Sequence, residues 1–104
     1  MVLTRIIGYS GIYFGEVGAW ILADAFVALP GGIGTIDEIT DVLSLSSLDV
    51  VTCPIVLFNT DGYYEPFRAL IRNIIENGLG RKEYFDRALF SDDMNEIAEF
   101  IMCP

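Results

Sequence analysis

Along this chain, short unbroken apolar runs alternate with stretches whose apolar residues recur three and four positions apart. Residues 23–29, Ala-Asp-Ala-Phe-Val-Ala-Leu, form a near-continuous apolar run ended by Pro30. That pattern predicts a strand covered on both faces, as inside a parallel sheet. From residue 35 to about residue 48, Ile36, Ile39, Val42, Leu43 and finally Leu48 recur at helical spacing, with Asp37, Asp41 and Ser44 elsewhere around the wheel. This predicts a helix packed on the sheet. Pro54-Ile55-Val56-Leu57-Phe58 predicts a second buried strand, and residues 59–62, Asn-Thr-Asp-Gly, carry turn chemistry. Pro66 then stands where a first-turn proline is tolerated, and Phe67, Leu70, Ile71, Ile74 and Ile75 keep a helical repeat up to Gly78. Ala88-Leu89-Phe90 predicts a short third strand, and Ser91-Asp92-Asp93 caps a last helix carrying Met94, Ile97 and Ile101. Residues 1–20 are the least regular, with Gly8, Gly11, Gly15 and Gly18 among aromatics. They fit an irregular strand and turn, or a helix weakened by glycine.

Strands alternating with helices imply an α/β fold, a Rossmann-like parallel β-sheet flanked by helices and joined by right-handed crossovers. Ligands of such sheets sit at the carboxyl ends of the strands. The segment Pro30-Gly31-Gly32-Ile33-Gly34-Thr35-Ile36-Asp37-Glu38 lies at such an end, between the first buried strand and the first helix. A strand, a glycine loop and a helix start leave backbone N–H groups unpaired at the positive end of a helix dipole, which suits a phosphate or other small anion. Gly31, Gly32 and Gly34 can take backbone angles closed to other residues and let an anion approach the amides of residues 31–35, Ile33 included. The competing reading is a tight turn with no ligand. Thr35 either donates its hydroxyl to a phosphate oxygen or caps the helix. Thr35-Ile36-Asp37-Glu38 also satisfies a capping box, in which Glu38 reaches back to a backbone N–H.

Composition narrows the possibilities. The chain has 104 residues, 53% of them hydrophobic, enough for one domain and more apolar than a lone small domain usually hides. The expectation is a missing half, a partner subunit, or both. The longest uncharged stretches are short and interrupted by glycine and tyrosine, so no membrane span is expected. Arg5 and the apolar residues after it open like a signal peptide, but no small-residue cleavage site follows, and the cytoplasm is the expected compartment. Six basic residues against fifteen acidic ones give a net charge of −9, which argues against nucleic acid and anionic membrane as partners. No Lys or Arg occurs between Arg5 and Arg68, so an anion at the glycine loop would rely on main-chain amides. Histidine is absent, which removes Ser-His-Asp, Cys-His and His-based metal chemistry. Cys53 and Cys103 form neither a metal spacing nor a disulfide framework, and no metal or cofactor is expected. Tyr63, Tyr64, Phe67 and Trp20 offer possible stacking platforms for a base, but packing in core or interface accounts for them better. Arg81-Lys82 reads as solvated loop charge.

The nonapeptide and the strand before it resemble the signature of the LOG family, the cytokinin riboside 5'-monophosphate phosphoribohydrolases often labelled lysine decarboxylases. The pattern P-G-G-x-G-T-x-x-E is matched at every fixed position, and the similarity continues to Cys53-Pro54-Ile55-Val56-Leu57-Phe58-Asn59 and Asp61-Gly62-Tyr63-Tyr64. The resemblance covers residues 23–104 and implies that 1–104 is a single partial domain, the C-terminal half of a LOG-type domain, with residues 1–22 poorly readable. It also implies a nucleoside monophosphate as small-molecule partner, Glu38 as the catalytic carboxylate, the Gly31 to Thr35 backbone as the phosphate holder, and a homodimer formed through the motif helix. Breaking an N-glycosidic bond develops positive charge on the ribose, which a carboxylate stabilises, or relieves by activating water. The products would be a free adenine-type base and ribose 5-phosphate. Asp37 reads as a solvated acid.

Departures from the family pattern bear on activity. Gly15 and Glu16 stand where the family carries an Arg-Lys pair whose arginine joins the glutamate in catalysis. Leu45, Ser47 and Cys53 replace a common aromatic, glutamine and basic residue. Two readings follow: a phosphoribohydrolase acting on AMP or a cytokinin riboside monophosphate, or a non-catalytic relative that binds a phosphorylated ligand. A half of a split protein needing its N-terminal complement is a third.

Overall fold

A computed structural model describes the backbone of residues 5–7 and the whole of residues 25–102. Four short strands, β1 (Arg5–Ile7), β2 (Phe26–Ala28), β3 (Ile55–Phe58) and β4 (Ala88–Ser91), lie in that order in one sheet and are all parallel. Helix α1 (Ile33–Ser47) joins β2 to β3, α2 (Glu65–Glu76) joins β3 to β4, and α3 (Met94–Met102) follows β4. This is the α/β, Rossmann-like arrangement that the alternation of patterns predicts. β1 falls in the segment that resisted reading, while Gly15, Glu16, Trp20 and Cys103 lie outside the described residues.

Register explains where the core sits. Phe26, Ile55 and Ala88 are aligned across three strands, as are Ala28, Leu57 and Phe90 two positions further on. Side chains alternate along a strand, so these six share one face. They pack with Ile39, Val42 and Leu43 of α1 and with Tyr64, Phe67 and Ile71 at and within α2. Both crossover helices therefore cover the same face, as right-handed crossovers stepping in one direction require. Val27, Val56 and Leu89 point the other way, and Leu89 shares a hollow with Glu96, Glu99 and Phe100 of α3. Ile55, Val56 and Leu57 are all fully buried, which is why β3 reads as an unbroken apolar run. Each such side chain contributes about 1.5–3 kcal/mol.

The helix ends follow local chemistry. Gly78 adopts a left-handed φ of 70° after α2, its N–H bonds the Ile75 carbonyl, and the Leu79 N–H bonds that of Ile74 at 3.0 Å. This is a Schellman turn, closed by the residue expected to end the helix. Asp93 caps α3, its Oδ1 accepting from the Asn95 N–H at 2.9 Å, while Ser91 Oγ donates to Glu96 Oε1 at 2.6 Å. At the C-terminus of α1 the Arg87 guanidinium donates to the Ser46 carbonyl and to Asp49 Oδ1, both at 2.9 Å. The helical repeats over-predicted burial at three points: Leu48, Leu70 and Met94 are exposed. Phe67 and Ile71 centre the buried stripe of α2 and leave Leu70 on its flank, while Ile97 alone anchors α3 fully.

Candidate functional site

Two loops meet at the carboxyl ends of β2 and β3, residues 29–32 and residues 59–64. Helix α1 begins at Ile33, two residues before the expected start. Gly32 is its N-cap, with φ −104° and ψ −154°, and no side chain caps it. The Thr35–Glu38 capping box is therefore not formed: Thr35 is already the third helical residue, too far in for its hydroxyl to serve the first turn from outside. The first intrahelical bond runs from the Ile36 N–H to the Gly32 carbonyl at 3.0 Å. The amides of Ile33, Gly34 and Thr35 precede that ladder, at the positive end of a 15-residue helix.

The glycines serve space rather than unusual angles. Among the described residues only Gly62 and Gly78 are glycines with positive φ, so the expected exotic conformations at Gly31, Gly32 and Gly34 are not used. A β-carbon at Gly31 would stand 2.9 Å from the Thr35 β-carbon and closer still to its hydroxyl oxygen. Thr35 is only 4% exposed, so its side chain forms the wall against which Gly31 packs. A β-carbon at Gly32 or Gly34 would meet nothing within 4 Å. Open space lies before both, and Ile33 between them is 85% exposed.

Two tyrosines hold the first loop from the second. Tyr64 donates its hydroxyl to the Leu29 carbonyl at 2.6 Å, and Tyr63 donates to the Gly31 carbonyl, so the bonds straddle Pro30. Their rings meet edge to face at 5.1 Å. Asn59 shapes the turn, accepting from the Tyr64 N–H at 2.7 Å and donating to Glu65 Oε2 at 2.6 Å. Tyr64 and Phe67 are core, as packing arguments expected. Tyr63 is half exposed and braces the loop, a role the sequence reading missed because its partner lies 32 residues away. The available signal was topological: a tyrosine pair directly after β3 faces the loop after β2 once the two strands are neighbours.

Glu38 stands one turn after Gly34 on the same side of α1 and is half-buried. Burial pushes its carboxyl above the usual carboxylate range, and the nearby Asp37 and Asp41 push it further. Asp41 is raised as well, by burial and by Asp37. Asp37 itself is exposed, as expected. Two described basic side chains are engaged elsewhere: Arg87 at the far end of α1, and Arg68 near Glu65 at 3.7 Å with its guanidinium 4.2 Å over the Phe90 ring. Arg72, Arg81 and Lys82 are exposed. A groove of about 260 Å³ lined by Thr40, Leu43, Ser44, Ile71, Ile74 and Tyr84 runs between α1 and α2, on the flank of α1 away from Glu38.

Of the positions that depart from the family pattern, Leu45 and Cys53 pack against the core and Ser47 Oγ donates to the Ser44 carbonyl at 2.7 Å. Among the described residues no cluster of three or more His, Cys, Asp or Glu could hold a metal, and no helix is long and apolar enough to cross a membrane.

Residues 20–101 match a family model described as possible lysine decarboxylase. The cytokinin riboside 5'-monophosphate phosphoribohydrolase LOG of Oryza sativa subsp. japonica is 43% identical over 70 residues, which cover 67% of this chain and 29% of that protein. The cytokinin riboside 5'-monophosphate phosphoribohydrolase LOG2 of Arabidopsis thaliana is 43% identical over 57 residues, covering 55% of this chain and 27% of that protein. The matched stretch is thus less than a third of either curated relative.

Proposed function

The chain belongs to the LOG family, whose matching model is described as possible lysine decarboxylase, and on that premise we propose that it carries the phosphate-binding and carboxylate half of a nucleoside 5'-monophosphate phosphoribohydrolase site. The observation that carries the reading is a run of unladdered amides at the start of α1 with open space before Gly32 and Gly34 and Glu38 one turn beyond. The amides of residues 31–35 hold the phosphate, aided by the helix dipole, with Ile33 and Thr35 contributing through the main chain. Glu38 faces the ribose. Its raised proton affinity suits a group that takes a proton from water in the transition state. Water adds to C1', the bond from C1' to the base nitrogen breaks, and the base leaves with the electron pair and gains a proton. The substrates are AMP or a cytokinin riboside monophosphate, and the working unit is a cytoplasmic homodimer.

Gly15 and Glu16, in place of the family's Arg-Lys pair, favour a second reading in which the chain binds the nucleotide without turning it over. A guanidinium makes paired contacts that neither residue supplies. Chromatographic detection of free base from AMP and an N6-substituted analogue decides between them. Release above a Glu38→Ala control supports hydrolysis, saturable binding with no release supports the binding protein, and the absence of both would remove the functional site.

A further inference from the structure

The Gly31–Gly32 peptide is held at one end and open at the other. Its carbonyl accepts the Tyr63 hydroxyl, and no peptide bond among the described residues is cis. In a trans peptide the carbonyl and the following N–H point to opposite sides of the chain. A carbonyl drawn toward the turn after β3 therefore sends the Gly32 N–H away from that turn. Gly32 is exposed, and space around its α-carbon is clear.

The neighbouring brace differs in one respect. Tyr64 holds the Leu29 carbonyl, but the next residue is Pro30, which has no N–H to aim. Tyr64 is buried and belongs to the core, whereas half of Tyr63 is exposed. Only the Tyr63 bond controls a donor. Without it, the peptide between two glycines is free to rotate about its flanking torsions. A rotated plane would offer the carbonyl oxygen to an anion in place of the N–H.

We infer that Tyr63 is a positioning residue, whose hydroxyl fixes the Gly31–Gly32 peptide plane so that the Gly32 amide joins the first helical amides in holding phosphate. The inference rests on the reading of this loop as a phosphate site. The edge-to-face contact with Tyr64 requires a ring at position 63, and steering the peptide requires its hydroxyl.

The test titrates the ¹⁵N-labelled chain with inorganic phosphate, observing the Gly32 amide by NMR beside the melting temperature. The wild-type chain saturates with a shift at Gly32. Tyr63→Phe keeps its ring and melting temperature but binds about tenfold more weakly, with the Gly32 response lost. Equal affinity with an unchanged Gly32 response overturns the inference and leaves the phosphate site standing. Weakened binding that comes with a lowered melting temperature and spectral changes across the core also overturns it, because Tyr63 is then structural. No saturation of the wild-type chain removes the phosphate site and the inference together.

Discussion

Gly31 and Thr35 touch so closely that the loop before α1 has room for hydrogen and nothing larger at position 31: a β-carbon there would stand 2.9 Å from the Thr35 β-carbon. Thr35 is buried and cannot retreat into solvent. Gly31→Ala should lower stability by about 1–3 kcal/mol, the usual range for overpacking. Denaturant unfolding measures it, and an unchanged midpoint would refute the contact.

Gly34 tells the opposite story. It is the second residue of α1, its φ is not positive, and the space beside it is clear. Gly34→Ala should raise stability by about 0.5–1 kcal/mol through helix propensity. The same methyl occupies the approach to the amides, so phosphate binding should weaken. Stability and calorimetric binding moving in the same direction would contradict the assignment of this space to a ligand.

Glu38→Gln should reduce base release on the order of 10²–10³-fold if the chain is an active hydrolase, a range typical for loss of a charge-stabilising group. Nucleotide binding should persist, since a negative charge has left the neighbourhood of an anion. Equal loss of binding and turnover would mean that Glu38 holds the fold and not the reaction.

Acid and base have a defined effect on stability here. Glu38 and Asp41 bind their protons more tightly in the folded chain than in the unfolded one, owing first to burial and then to neighbouring aspartates. Their contribution is therefore fully present below the ordinary carboxylate range and is lost as pH rises through the raised folded values. Glu38→Gln should be more stable than wild type near neutrality, and the difference should vanish in acid. A gap that widens toward low pH would reverse the sign and the argument.

Salt offers a further check. A site built from amides on a chain of net charge −9 repels an approaching phosphate at long range. Raising ionic strength screens that repulsion, so association should quicken, unlike a Lys- or Arg-lined site, which loses affinity. Stopped-flow binding at two salt concentrations distinguishes the cases.

Three of the sheet's four strands, the three helices and the location of the glycine loop were legible because buried strands and amphipathic helices leave different periods in a chain. Ile55, Val56 and Leu57 announce a strand with both faces covered, and Phe67 with Ile71 announces a helix with one. The start of α1 was misjudged because Thr35 and Glu38 satisfy a local capping rule that the loop overrides: Gly32 supplies the first acceptor itself. The Tyr63 and Tyr64 braces depend on which strands become neighbours, and Leu29 and Gly31 precede them by 35 and 32 residues. No window of local sequence contains both ends of such a bond.

Strand order in the sheet repeats strand order in the chain. During synthesis each new strand can dock on the edge left by the one before, without threading back between finished neighbours. The glycine loop leaves the ribosome before the turn after β3, and the Tyr63 and Tyr64 hydroxyls that anchor its carbonyls arrive only with that turn. A growing chain thus exposes the glycine loop's raw backbone before the loop has its shape, and the proposed anion site can take form only once residue 64 is free to fold.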